Sequence, residues 1–201
     1  MHRVVGLGNP GERYARTRHN VAWWVLDELG RRHAATESGA SDRGRARRLE
    51  IVGRTVELLQ PLTYMNRSGE AVAEWRERYG MEAELLVVTD DVYLPLGMLR
   101  LRAGGSSGGH RGLESIEASV GTRDYTRLRI GVGAAETSAA LKEHVLEEFA
   151  PEETPALEAA IRRAADCVEI WVAEGALGAM NQFNRRVAPD AEPDRQEESE
   201  T

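Results

Sequence analysis

The sequence predicts an α/β fold with a mostly parallel or mixed sheet, and three observations predict it. Apolar runs at Arg3 to Leu7, Leu85 to Thr89 and Thr126 to Val132 alternate with stretches of helical periodicity, such as VAWWVLDELGRRH from Val21 and EAVAEWRERY from Glu70. The compact polar residues Asn9, His19, Asn20, Asn66 and Asp90 fall where strands end and loops begin, the edge on which α/β proteins place chemistry. A length of 201 residues suits one domain with a sizeable core.

In chain order, Arg3 to Leu7 reads as a short buried strand that runs into Gly6-Leu7-Gly8-Asn9-Pro10-Gly11. The glycine spacing matches the dinucleotide fingerprint, but Pro10 and the polar ERYARTR run keep a helix from starting where a pyrophosphate would need it. The helical pattern begins only near Asn20. Thr36 to Arg48, TESGASDRGRARR, is polar and reads as a mobile basic loop. Leu49 to Val52 and Thr55 to Gln60 flank Gly53-Arg54 as a hairpin, and Pro61 ends its second strand. LTYMNRSG then forms a loop with Ser68 as a candidate helix cap, and the next helix stops at Gly80. Leu85 to Thr89 runs into Asp90-Asp91, carboxylates that either serve function or cap the following turn. From Gly97 to Arg102 the residues alternate, with Arg100 and Arg102 on one face, just before AGGSSGGHRG. That loop is read as a phosphate contact rather than a plain connector. Arg127 and Arg129 share a side of the next strand. A short helix is expected over Ala139 to Phe149, a long one from Glu152 to Ala173 with Pro151 at its first turn, and a last one over Ala176 to Phe183. Residues 187–201 are acidic and almost devoid of large apolar side chains, so a disordered tail is expected.

Composition narrows the class. No apolar run approaches the roughly 18 residues a membrane span needs. Cys167 is alone, which excludes an internal disulfide, and no His/Cys/Asp cluster has zinc spacing. A cytoplasmic protein is the simplest reading. The net charge of −7 is unevenly spread: residues 1–135 hold 20 Arg against 17 acids, whereas residues 190–201 hold one Arg against six acids. Net charge alone therefore excludes no polyanionic partner. Of 26 basic residues 25 are arginine, the side chain suited to bidentate phosphate contacts.

No serine sits in a nucleophile elbow, and Cys167 lies within a helix pattern, so a covalent acyl-enzyme is unsupported. What remains is His19 as a possible general base with Asp90 as its orienting partner, and asparagine side chains able to hold a carbonyl or oxyanion. That set suits attack by water on an activated carbonyl such as an ester. The arginines and the Gly-rich loop suit a phosphate-bearing leaving group.

The stretches VVGLGNPGERYARTRHNVAWWVLDEL, LLQPLTYMNRSGEAV, LLVVTDDVYLPLGMLRLRAGGSSGGHRGLESI and YTRLRIGVG resemble the bacterial-type peptidyl-tRNA hydrolase family, in matching order over about residues 3–186. The resemblance implies a single α/β domain over residues 1–186 with a twisted mixed sheet flanked by helices, monomeric and needing no metal or cofactor. It implies cleavage of the ester joining a peptide to the terminal ribose of tRNA. By the same resemblance His19 is the base that activates water and Asp90 its partner, with Asn9 and Asn66 in the catalytic set. Tyr14, Tyr64, Met65, Asn66 and His110 match positions at the substrate cleft, and Arg100, Arg102 and Arg129 match basic positions that meet tRNA phosphates. Two positions depart from the pattern: Arg111 stands where the family has asparagine in GGHNG, and Tyr93 where it usually has an acid. Arg111 is expected to remain a substrate contact. The rival readings are a non-catalytic RNA-binding relative and a nucleotide-binding oxidoreductase. Retention of the His/Asp/Asn set argues against the first, and the failed dinucleotide context against the second.

Overall fold

The first strand, β1 (His2–Gly6), is buried from end to end and becomes the middle of the sheet. A computed structural model of the chain describes residues 1–80, 83–133 and 141–184. Six further strands follow: β2 (Thr36–Ser41), β3 (Gly44–Ile51), β4 (Arg54–Pro61), β5 (Glu84–Asp91), β6 (Leu99–Arg102) and β7 (Thr126–Gly131). They form one sheet in the order β2-β3-β4-β1-β5-β7-β6. β1 runs parallel to β4 and β5, and β5 parallel to β7, while β2, β3 and β6 are antiparallel to their neighbours. The sheet is mixed, as expected.

Alternation along the strands builds two cores. Val4, Leu86, Val88, Leu128 and Ile130 face α1 (Val21–Arg32) and α5 (Thr154–Phe183). Val5, Leu7, Val87 and Leu59 face α2 (Ser68–Tyr79) and α3 (Arg111–Val120). In α1 the inward residues are Val21, Ala22, Val25, Leu26 and Leu29, one stripe of a 3.6-residue period. α5 is interrupted at Gly175, whose φ of +80° breaks the helical path, which agrees with two helices meeting there. β3 and β4 turn at Val52 and Gly53, both with positive φ, the geometry of a tight hairpin turn.

Three expectations are corrected. Residues 36–48 are not a loop: they form β2 and the first half of β3. The inward positions there are small, with Gly44 and Ala46 under Leu59 and Ala71, so the apolar signal of a strand is missing from the sequence. Ser68 is not a cap. It is the first residue of α2, and its hydroxyl donates to the Met65 carbonyl at 2.9 Å from within a preceding 3₁₀ turn, Met65–Arg67. Within the Ala139 to Phe149 stretch only α4 (Leu141–His144) is helical, and 139–140 lie outside the described residues. The chain after it continues in turns and is tied to the segment before α1: Arg18 and His19 donate their N–H groups to the carbonyls of Glu147 and Val145. The acidic 187–201 segment also lies outside the described residues.

β1 is the switch point of the sheet, since the chain leaves it toward β4 on one side and returns through β5 on the other. The carboxyl ends of β1, β4, β5 and β7 therefore open on one crevice, the position where such sheets bind ligands. No helix among the described residues is long and apolar enough to cross a membrane.

Candidate active site

Three strand ends and a turn supply the crevice. Asn9 follows β1, Tyr64, Met65 and Asn66 follow β4, Asp90 ends β5, and His19 comes from a 3₁₀ turn, Arg18–Asn20, that leads into α1. His19 Nδ1 lies 2.8 Å from Asp90 Oδ1. Since a carboxylate only accepts, Nδ1 carries the ring proton of a neutral His19 and Nε2 is left with its lone pair. Burial alone would lower the His19 pKa, but the charge of Asp90 and the hydrogen bond to it outweigh that and raise it above 6.5. Burial pushes Asp90 the other way. The two imidazoles beside it overcome that penalty and hold its carboxyl well below the usual range.

The second imidazole is His110. Its Nδ1 accepts from the N–H groups of Gly112 and Leu113, capping α3, so its proton is on Nε2. Nε2 meets Asp90 Oδ1 at 3.0 Å and Thr89 Oγ1 at 2.7 Å. Two histidines and a carboxylate within 4.8 Å are also a donor set for a transition metal. These residues do not fit one as arranged. His110 would have to offer a lone pair at Nε2 while Nδ1 accepts from the backbone, which requires an imidazolate. The cluster satisfies itself by hydrogen bonds.

The asparagines divide their labour. Asn20 is fully buried and spends its amide on the Asn9 backbone, accepting its N–H at 2.8 Å and donating to its carbonyl at 3.0 Å. Asn9 Oδ1 accepts the Met65 N–H at 2.8 Å. That fixes the amide orientation and leaves the two Nδ2 donors of Asn9 without a partner among the described residues. Asn66 is exposed, and its amide makes no hydrogen bond to the described residues. Met65 is 5% exposed and packs under Gly112, where a Cβ would stand 2.5 Å from Met65 Sδ. A side chain at that position would have to push Met65 and Leu7 aside. Tyr64 is half-exposed at the rim, and Tyr14 is partly buried with Arg13 stacked 4.5 Å from its ring centre.

The arginines separate into two kinds. Arg100 and Arg102 of β6 are exposed and have no carboxylate partner among the described residues. Arg129 and Arg127 stand opposite them in register, so all four share one face. Arg129 is engaged: it pairs with Asp91 at 3.2 Å and donates to the carbonyls of Ser106 and Ser107. Arg127 is buried and donates to the carbonyls of Gly105, Ser106 and Arg123. The Gly-rich loop is thus held through its carbonyls by the two β7 arginines. Arg111 opens α3 with its side chain 70% exposed, reaching only Glu114 at 3.9 Å, apart from the His19–Asp90–His110 cluster.

The family model described as peptidyl-tRNA hydrolase matches residues 3–191. The chain belongs to the peptidyl-tRNA hydrolase family. It is 45% identical to the peptidyl-tRNA hydrolase of Roseiflexus castenholzii, with 100% of this chain and 94% of that protein covered. It is equally identical to that of Chloroflexus aggregans, with 92% and 99% covered. Among solved structures it resembles the peptidyl-tRNA hydrolase of Acinetobacter baumannii at a TM-score of 0.84 and 35% identity, covering 92% of this chain and 94% of that one. By family, then, it is a hydrolase.

Sequence reading missed two residues beside the site. Thr89 reads as one more β-branched strand residue, yet its hydroxyl meets His110. Arg18 reads as part of a basic turn, and its guanidinium is buried behind His19.

Proposed function

We propose that this protein hydrolyses the ester joining a peptide to the terminal ribose of tRNA in peptidyl-tRNA, releasing the peptide and free tRNA for translation. The observation that carries this reading is the 2.8 Å bond from His19 Nδ1 to buried Asp90, which leaves Nε2 with its lone pair to act as a base. His19 Nε2 takes a proton from water as its oxygen bonds to the ester carbonyl carbon. Asp90 stabilises the imidazolium so formed. The Nδ2 donors of Asn9, without a partner among the described residues, and the amide of Asn66 supply hydrogen bonds to the carbonyl oxygen or the neighbouring peptide amide. When the tetrahedral intermediate collapses, the carbon–oxygen bond to ribose breaks and His19 returns the proton to the leaving oxygen.

Tyr14, Tyr64, Met65 and His110 line the cleft in this reading, with Arg111 at its edge. Arg100 and Arg102 have no carboxylate partner among the described residues, and an RNA backbone would supply phosphate partners. Arg129, already tied to Asp91, contributes by holding the loop and by its charge. The rival, a binding protein without catalysis, has no use for a buried carboxylate shared by two imidazoles.

The test is incubation of the purified protein with tRNA carrying an N-blocked amino acid and, separately, with free aminoacyl-tRNA. Release of the blocked amino acid, with the free one spared, is expected. Binding of both without ester cleavage would favour the rival.

A further inference from the structure

Arg18 precedes His19 and is only 6% exposed. Its guanidinium is committed on three sides. Nη1 donates to the Val132 carbonyl at 2.8 Å and to Glu153 Oε1 at 2.9 Å. Nη2 donates to Glu153 Oε2 at 2.6 Å, and the Phe149 ring centre lies 4.5 Å away. Val132 in turn donates its N–H to the carbonyl of Asp91. A closed circuit results: His19 to Asp90 through side chains, Asp91 to Val132 to Arg18 through hydrogen bonds, and Arg18 to His19 through the peptide bond. Glu153 is anchored independently, accepting the Ala150 N–H at 2.8 Å in the 3₁₀ turn that starts α5.

His19 needs such support. It rides on a three-residue 3₁₀ turn, whose hydrogen bonds are weaker than those of an α-helix and which holds its direction poorly. A bidentate arginine–carboxylate pair fixes orientation as well as distance.

We propose that Arg18 and Glu153 are positioning residues for the hydrolysis, a brace that ties the His19 turn to the strand bearing Asp90 and holds the two side chains at bonding distance. This rests on reading His19 as the base. The titratable groups that face His19 are Asp90 from β5 and His110 from the turn before α3. Those around the brace are Glu153 and His144, whose ring nitrogen meets the Gly133 carbonyl at 3.1 Å.

Arg18→Met removes the fork and keeps most of the side-chain volume. The expected result, in a variant whose circular dichroism matches wild type, is a kcat about 100-fold lower, the scale of a 1 Å misplacement, with KM within about threefold. The acidic limb of the pH–kcat profile should move to lower pH, because a His19 that has left Asp90 loses the interaction that raises its pKa. Titration of the His19 imidazole by NMR should show the same movement without substrate. Glu153→Gln keeps one acceptor oxygen and should show both effects more weakly.

A folded Arg18→Met protein with wild-type limb and wild-type His19 titration overturns the proposal, whatever its kcat, since a merely structural loss moves neither. Should Arg18→Met not fold, Arg18→Lys and Glu153→Gln carry the same two readouts. A wild-type protein that leaves peptidyl-tRNA intact would overturn the functional reading instead, and the NMR titration would still decide the brace.

Discussion

Charged side chains are buried at both ends of the central strands, and the two ends use them differently. At the amino end, Arg3 of β1 stands opposite Glu57 of β4 in register, 3.8 Å apart, with side-chain exposures of 3% and 1%. Arg3 donates to the carbonyls of Tyr79 and Gly80 that end α2, and Glu57 accepts from Arg48 at 2.8 Å. What is left over, Arg3 Nε and Glu57 Oε2, is buried, and the two atoms have only each other at 3.8 Å among the described residues. At the carboxyl end Asp90 is as deeply buried, yet His19 Nε2, the Asn9 Nδ2 donors and the Asn66 amide have no partner among the described residues. Burial of charge therefore does not mark function. Function is marked by a satisfied anchor whose outer atoms are kept open.

The sharpest way to break that comparison is to remove the groups on each side in turn. His19→Ala should lower kcat by about 10²–10⁴-fold, the usual contribution of a general base, and cost less stability than the loss of activity implies, since Asp90 keeps His110 as a partner. Steady-state kinetics together with urea unfolding would check both halves, and a loss below tenfold would remove His19 from the role. Arg3→Met should do the reverse. It strands Glu57, with Arg48 as its remaining partner, and should cost about 3 kcal/mol of stability while activity per folded molecule is kept. Urea midpoints read this directly, and a large loss of kcat in the folded fraction would mean the two ends are coupled.

Asp90→Asn tests the anchor itself. His19 has its pKa raised by Asp90, so removing the charge lowers it and the acidic limb of the pH–rate profile moves to lower pH. kcat should fall about tenfold or more because an amide no longer stabilises the imidazolium. An unmoved limb would mean the pair does not act together. The smallest effect belongs to the exposed edge. Arg100→Ala and Arg102→Ala should raise KM more than they lower kcat and flatten the log–log salt dependence by about 0.7–0.9 per lost phosphate contact. Equal slopes for variant and wild type would place the RNA elsewhere.

The sequence made most of this legible where a strand is filled by large apolar residues or where punctuation is strong. β1, β5 and β7 carry their own pattern, and Gly80 and Pro61 stop their elements as read. The β2–β3 hairpin was hidden because its buried side is made of Gly44 and Ala46, and because a Cβ at Gly39 would stand 2.4 Å from the Tyr79 hydroxyl. Small residues required by close packing look like loop residues in a one-dimensional reading. In the crevice, the grouping of Asn9, His19, Met65 and Asp90 followed from their places at strand ends. The cap that His110 makes on α3 and the bonds Arg18 makes to Val132 and Glu153 span elements far apart in sequence, and no local spacing encodes them. Arg129 was legible as a basic residue near the loop, but not as one already paired with Asp91.

The place of β1 in the sheet also governs how the chain can be made. His2 leaves the ribosome well before its strand partners, Val56 and Glu84. At about 5–20 residues per second, β1 waits on the order of 4–16 s for β5 to be synthesised, and β7 comes later still. Through that interval an apolar strand has at least one unsatisfied edge, and both until β4 is made, a template for pairing with a neighbouring chain. High-level expression should therefore favour inclusion bodies unless synthesis is slowed or a chaperone shields the amino terminus. A nascent chain cut off before Glu84 lacks β5, leaves β1 at an open edge of the sheet and cannot assemble the crevice at all.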